Sequence, residues 1–243
     1  MKRLFDFFAS LSGLVVASPI LILFSILVWL QDFKSPFYIA PRVAKGDRRF
    51  DMVKLRSMVM NADKSGVAST SASDRRITPI GKLIRKLKLD ELTQLWNVLW
   101  GHMSLVGPRP QVAQDTALYT DEEKKLLAVR PGITDFSSIV FSDEGDILAG
   151  AEDPDLRYQQ LIRPWKSRLG LFYIEKRSFL TDLRLILLTV RNSVDRRGTL
   201  LAVAEIVERL GGSEELVKVC RRDEPLAPHP PPGSSEVFVK DKT

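Results

Sequence analysis

The chain carries one cysteine, Cys220, among its 243 residues. That excludes an intramolecular disulfide framework and fits a protein folded in a reducing compartment. Histidine is almost as scarce. His102 and His229 are the only two, and the second lies in a Pro-rich stretch, so a His-rich zinc site and a Ser–His–Asp triad are both disfavoured. Transfer or hydrolytic chemistry then falls to carboxylates, Lys and Arg. The excess of one charge is small, 36 Lys and Arg against 30 Asp and Glu. It suits phosphates, anionic headgroups or nucleic acid without choosing among them. No nucleic-acid-binding motif accompanies it, so nucleic acid is not expected as a partner. No internal repeat is found either.

Charge is missing altogether from residues 7–30, FFASLSGLVVASPILILFSILVWL. The run is long enough to span a bilayer, which takes roughly 20 apolar residues. Its length and the preceding Asp6 argue against a cleaved signal peptide, although Lys2 and Arg3 form a basic flank. Near its middle stand Ser18 and Pro19. Proline there deletes a backbone hydrogen bond and predicts a kink or break at membrane depth. Lys34, Arg42, Lys45, Arg48 and Arg49 follow the run, so the positive-inside rule draws both ends toward the cytoplasm. A straight span satisfies one end and a re-entrant hairpin turning at Ser18-Pro19 satisfies both. The residues alone leave the two open.

Beyond the apolar run, Gly46-Asp47 predicts a hairpin reversal between Tyr38-Ile39 and Phe50-Met52. Residues 60–76, small and polar, read as a surface loop. Thr78-Pro79 predicts a helix start, with apolar residues at helical spacing from Ile80 to Leu99 and a stop at Gly101. GPRP (107–110) and RPGIT (130–134) are rigid turns around a charged, helical stretch. Helices are expected over 155–174, 176–195 and 199–210, the second with Phe179, Leu183, Ile186, Leu187 and Val190 on one side. PLAPHPPPGSS (225–235) predicts a flexible tail. The expected organisation is a membrane anchor over 1–33, a catalytic domain over 34–210 and a flexible Pro-rich tail over 211–243.

The segment KLIRKLKLDELTQLWNVLWG (82–101) sets Asp90 and Glu91 inside a basic and apolar context. On one continuous helix advancing about 100° per residue, Asp90 shares a polar strip with Lys86, Gln94 and Asn97. Glu91 then falls among Ile84, Leu87, Leu95 and Val98, where a carboxylate is either protonated or held by a cation. Alternatively the helix breaks near Lys88-Leu89 and the acids sit in the first turn of a new one. Charged pairs on helices are usually solvated faces, and the two acids alone do not decide.

KLIRKLKLDELTQLWNVLWGHMSLVGPRP resembles the catalytic signature of the bacterial sugar transferases, the small monotopic phosphoglycosyl transferases that begin lipid-linked glycan assembly. Further stretches carry the same resemblance: the N-terminal KRLFDFF with its Ser-Pro break, RVAKGDRRFDMVKLRSM, ITPIGKLIR, RPGIT and DPDLRYQQLIRPWKSRLGLFYIEKRSFLTDLRLILLTV. Coverage runs from about residue 1 to 195. The implied fold class is α+β and mainly helical: a re-entrant membrane helix hairpin, then a cytoplasmic catalytic domain with amphipathic interfacial helices and a small β-hairpin. The implied location is the bacterial inner membrane, with the catalytic domain on its cytoplasmic face.

The implied reaction passes sugar-1-phosphate from a nucleoside-diphosphate sugar, usually a UDP-sugar, to polyprenyl phosphate and releases UMP, as the first membrane step toward an exopolysaccharide, O-antigen or glycoprotein. By the resemblance Asp90 is the nucleophile, forming a covalent phosphosugar intermediate, with Glu91 its partner and Mg2+ held by both. A hard, oxygen-preferring cation is what carboxylate attack on phosphorus calls for. Lys54, Arg85, Arg109 and Arg130 are the implied phosphate-binding residues. For Lys54 the residues alone favour a charged edge strand, and for Arg130 a structural salt bridge reads as well as substrate contact.

Tyr158 and Asp182 match recurring family positions without an assigned role. Lys88, Thr93, His102 and Asp135 depart from residues common in the family (Ser or Thr, Pro, an acid, and Gly respectively), and metal binding near His102 is expected to differ. Without the larger members' extra transmembrane bundle and soluble domain, a minimal form is expected. Membrane lipids are implied partners, and the apolar surface is compatible with a homodimer. The competing class is a non-catalytic surface adaptor that binds anionic lipid and recruits a protein through the Pro-rich tail. Such an adaptor has no use for Asp90-Glu91.

Overall fold

In the computed structural model, which describes residues 1–62, 70 and 74–240, the apolar run becomes one helix, α1 (Lys2–Asp32). It passes through Ser18 and Pro19 without interruption, where a break was expected. Pro19 has no N–H to give Val15, four residues back. The Ser18 hydroxyl donates to that carbonyl instead, at 2.8 Å.

Both ends of α1 are tied to the same body. Arg3 donates from Nη1 and Nη2 to the carbonyls of Val98 and Leu99, at 2.5 and 2.6 Å. Lys2 pairs with Asp182, which also accepts from the Tyr173 hydroxyl at 2.6 Å. Buried Asp6 accepts from Ser104 Oγ at 2.8 Å. At the far end Asp32 takes a two-pronged contact from Arg56, at 2.5 and 2.6 Å. Between these anchors, Phe24 and Val28 pack with Leu55, Ile84 and Leu89. Full burial of such side chains contributes about 1.5–3 kcal/mol each. The remaining faces, including Phe8, Val15, Val16, Ile22 and Leu23, are exposed.

Strands β1 (Phe37–Val43) and β2 (Arg49–Leu55) pair antiparallel around a tight turn at Lys45–Asp47, with Gly46 at φ 70°. This is the expected hairpin. Of the expected polar loop, residues 63–69 and 71–73 lie outside the described residues, as do 241–243. Three short helices follow where one helix or a pair was expected: α2 (Pro79–Lys86), α3 (Leu89–Leu92) and α4 (Leu95–Leu99). Next come β3 (Ser104–Val106), α5 (Ala113–Ala117), β4 (Gly132–Thr134), α6 (Phe136–Val140), α7 (Glu144–Ile147) and α8 (Pro154–Arg157). The chain ends in α9 (Arg163–Lys176), α10 (Phe179–Arg191), α11 (Arg196–Arg209) and α12 (Glu214–Arg221).

Strands β3 and β4 pair in parallel, a small sheet the sequence reading does not contain. It explains why two Gly-Pro turns recur. Gly107 N–H donates to Thr134 O and Gly132 N–H to Pro108 O. A Cβ on Gly132 would lie 2.1 Å from the Gly107 nitrogen, so only glycine admits this crossing. GPRP and RPGIT are two halves of one joint.

The main core gathers α6, α9, α10, α11 and α12 around Phe136, Leu169, Leu185 and Val203. On α10, Leu185 is buried while Phe179, Leu180, Leu183, Leu187 and Val190 face outward, an apolar surface on the outside of the body. A π-helical turn, Tyr158–Ile162, joins α8 to α9. Its cause is Pro164, which has no N–H for the Gln160 carbonyl. That carbonyl accepts from His229 N–H at 3.1 Å.

His229 belongs to the segment expected as a flexible tail. Instead, α12 buries Leu216, Val217 and Cys220 in the main core, and the Pro-rich run lies along α9. Arg168 donates to Pro230 O at 2.8 Å, Gln160 to Phe238 O at 3.0 Å, and the Trp165 and His229 rings are 4.5 Å apart. Composition misleads here because proline keeps its carbonyl acceptor, and α9 supplies the donors.

Candidate active site

The break that exposes the two acids is built locally. Thr78 Oγ1 accepts from Gly81 N–H at 2.9 Å and starts α2, as expected. At the far end Lys88 takes φ 53°, a left-handed conformation that costs a non-glycine residue about 1 kcal/mol. Ile84 and Leu89 both sit in the cluster under α1. On one straight helix, five residues apart, they would be turned about 140° from each other. The left-handed residue resolves that conflict. The alternative reading, a break near Lys88-Leu89, is therefore the one that forms, and it leaves Asp90 and Glu91 half-buried on the wall of a cleft.

The cleft measures about 800 Å3, within the range of small-molecule binding pockets. Lys54 reaches it from β2, Arg85 from the last turn of α2 and Arg109 from the GPRP turn. Two side chains hold the acids in register with Lys54. Asn97 accepts from Val53 N–H at 2.9 Å and donates to Asp51 O at 2.7 Å. Thr93 reaches Val53 O at 3.0 Å and Asp90 O at 2.9 Å. Arg85 donates to Ser57 Oγ at 3.0 Å.

Of the expected phosphate-binding residues, Lys54, Arg85 and Arg109 converge here and Arg130 does not. Arg130 is exposed and lines no part of the cleft. The β3–β4 crossing turns GPRP inward and leaves the first residue of RPGIT outside. His102 is also exposed and away from the cleft. Asp135 caps α6 by accepting from Ser138 N–H at 2.7 Å. Asp182 anchors Lys2 and Tyr173. Tyr158 lines the cleft.

The two acids differ electrically. Burial pushes both toward protonation. For Glu91 the opposing pull of Arg109, Lys88 and Lys54 is larger, and its carboxyl lies below the usual range. Arg109 Nη2 stands 2.8 Å from Glu91 Oε1, and that neighbour raises the guanidinium's own pKa. Asp90 is raised, by burial first and by Glu91 as well, against Lys54, Arg85 and Arg109. Among the described residues its carboxylate has no hydrogen bond and no ion pair. Burial, with Arg109 nearby, lowers the Lys54 ammonium to about 8, against the pull of Asp90 and Glu91.

In the same cleft the sequence reading missed Lys166 and Glu144. They pair across the cleft wall, and Lys166 sits over the Tyr158 ring at 5.4 Å. Nothing in their local sequence marks them, because the partners come from different helices.

Among the described residues no group of three or more His, Cys, Asp or Glu could cage a metal. The donor set fits a different kind of binding. Two carboxylates, one without a protein partner, suit Mg2+, which keeps waters and takes further ligands from a bound phosphate.

A family model described as "Bacterial sugar transferase" matches residues 1–196. The chain is 31% identical over 194 residues to the UDP-N-acetylgalactosamine-undecaprenyl-phosphate N-acetylgalactosaminephosphotransferase of Aeromonas hydrophila, covering 79% of this chain and 43% of that protein. It is 34% identical over 217 residues to the uncharacterized sugar transferase EpsL of Bacillus subtilis (strain 168), covering 89% and 98%. It is 36% identical over 207 residues to the exopolysaccharide production protein PSS of Rhizobium leguminosarum bv. phaseoli, covering 81% and 96%.

Proposed function

The chain belongs to the bacterial sugar transferase family and is a phosphoglycosyl transferase, and from that premise we propose that it moves sugar-1-phosphate from a UDP-sugar to polyprenyl phosphate. The observation that carries the reading is the unpaired, half-buried carboxylate of Asp90, set among Lys54, Arg85 and Arg109 and next to a Glu91 already held by Arg109. An unpartnered acid in that position is costly unless it is used.

In the first step Asp90 attacks the phosphorus that bears the sugar. A bond forms from Oδ to phosphorus, the bridging P–O bond breaks, and UMP leaves with the electron pair. In the second, an oxygen of polyprenyl phosphate attacks the same phosphorus and returns Asp90 as a free carboxylate. Lys54 and Arg85 offset the diphosphate charge, while Arg109 orients Glu91. Mg2+, held by Asp90 and Glu91, would supply further charge neutralisation at the diphosphate. Two half-reactions let a soluble donor and a lipid acceptor use one site in turn.

Location follows from α1. Its outward faces are apolar while both its ends are bonded to one body, which supports a helix that enters the bilayer without carrying its ends to opposite sides. We place the catalytic domain on the cytoplasmic face of the inner membrane, the side to which the positive-inside rule draws both basic flanks of α1. The adaptor reading loses its recruiting element, since the Pro-rich run is docked on α9.

The test incubates purified protein with a panel of UDP-sugars, polyprenyl phosphate and Mg2+. UMP release is expected from wild type and is expected to fall by roughly a thousandfold or more in Asp90→Asn. Equal release from the variant, or none from wild type with any donor, would overturn the reading.

A further inference from the structure

The family match ends at residue 196, yet Arg222, beyond that point, reaches a wall of the cleft. One wall of the cleft includes residues 141–146, the link from α6 to α7 together with the first residues of α7. Its polar anchors lead into the last helices. Asp143 Oδ2 is 2.8 Å from Arg196 Nη2 and 3.2 Å from Arg222 Nη2. The Arg222 guanidinium also lies over the Phe141 ring, 5.4 Å from its centre. Ser142 accepts from Asn192 Nδ2 at 2.9 Å and pairs with Arg196. Arg222 is mostly buried and stands just past α12 at φ 52°. That left-handed turn directs the chain away from the helix, and α12 itself is fixed to the core by Leu216, Val217 and Cys220.

We propose that residues 197–240 act as a brace for the donor cleft, and that Arg222 is a positioning residue which fixes the 141–146 wall through Asp143. The next residue, Glu144, is the one that pairs with Lys166 and whose carboxyl is held low, against burial, by Lys166, Arg109 and Lys54. A shift of Asp143 therefore moves the acid that balances the cationic side of the cleft. Arg222 touches neither Asp90 nor Glu91, so its effect falls on how the donor is seated. The kinetic part of the inference rests on the transfer reading above; the brace itself does not.

The experiment compares wild type, Arg222→Ala and Arg222→Lys as full chains. Hydrogen–deuterium exchange over peptides covering 141–147 reads the brace without any activity. Faster exchange there in Arg222→Ala, with α9 unchanged, is expected. Donor kinetics at saturating polyprenyl phosphate are then measured. KM for the UDP-sugar is expected to rise roughly three- to tenfold with kcat within about twofold, the range for a residue acting through a neighbour. Arg222→Lys, which keeps the charge, is expected to recover part of the loss. Unchanged exchange over 141–147 overturns the brace whatever the activity. Faster exchange with unchanged KM, or a fall in kcat alone, overturns the positioning role. If wild type releases no UMP, the transfer reading fails and the exchange result still decides the brace.

Discussion

Asp90 and Glu91 are neighbours in sequence with opposite electrical fates. Burial acts on both, and a single guanidinium at 2.8 Å separates them. Glu91 remains an anion that orders Arg109, and Asp90 is left with no protein partner and a raised pKa. Lys54 is the other poised group. Its ammonium is lowered to about 8, so its charge is present below that pH and is lost above it. Phosphate affinity follows the charge. We expect kcat/KM for the donor to fall as pH rises through about 8, because that ratio reports the free enzyme. Lys54→Arg, which stays charged, should lose the alkaline limb; an identical limb in the variant would assign it elsewhere. On the acid side the raised pKa of Asp90 predicts loss of activity at a higher pH than an ordinary aspartate gives.

At this scale much was readable. A carboxylate pair amid Lys and Leu is visible in a line of text, whereas the choice for Glu91 between a proton and a cation was posed on one continuous helix that does not form. That Arg109 pairs with Glu91, that Arg130 turns away, and that Lys166 and Glu144 line the same cleft depend on chain crossings that no local pattern encodes.

Among the elements, Pro19 and Pro164 sit within helical runs, and each leaves one carbonyl without its donor. Val15 receives the Ser18 hydroxyl and Gln160 receives His229 N–H. The first substitute is adjacent in sequence, and Ser18-Pro19 could have been read that way. The second comes from 69 residues further on, and no local reading finds it. The hairpin β1–β2 was legible because Gly46-Asp47 interrupts two alternating runs. The β3–β4 pair was not, since three-residue strands carry too little periodicity. The split of 79–99 into three helices was visible only as a conflict, Ile84 against Leu89, once both were known to be buried together.

Asn97 laces the last of these helices to β2 with two hydrogen bonds, to Val53 N–H and Asp51 O. Asn97→Ala removes the partner of both backbone groups. We expect about 1–3 kcal/mol of lost stability, read as a lower denaturation midpoint in detergent, with transfer activity reduced because Lys54 and Asp90 are held in register by this contact. A midpoint within error of wild type would show that water replaces the amide fully.

For the molecule as a whole, the arrangement of α1 sets the topology. A straight helix of this length is about 46 Å long, enough to cross the hydrocarbon core of roughly 30 Å. Yet Arg3 is bonded to the end of α4 while Asp32 is bonded to Arg56 beyond β2. Both contacts hold only if the two ends lie on the side of the catalytic body. Apolar side chains are exposed on α1, on α4 and just beyond it (Trp96 and Trp100) and on α10 (Leu183 and Leu187).

Cys220 is buried and is the sole cysteine, so single exposed cysteines can be introduced without a competing label. In sealed vesicles of known orientation, Leu4→Cys, Lys34→Cys and Lys45→Cys are expected to react with a membrane-impermeant maleimide from the same side. Reaction of Leu4→Cys from the opposite side would mean a crossing helix. Arg3, Lys2 and Asp6 would then be separated by the bilayer from the carbonyls and side chains they bind here, and the small joint at β3 would lose the anchor that holds Arg109 over Glu91.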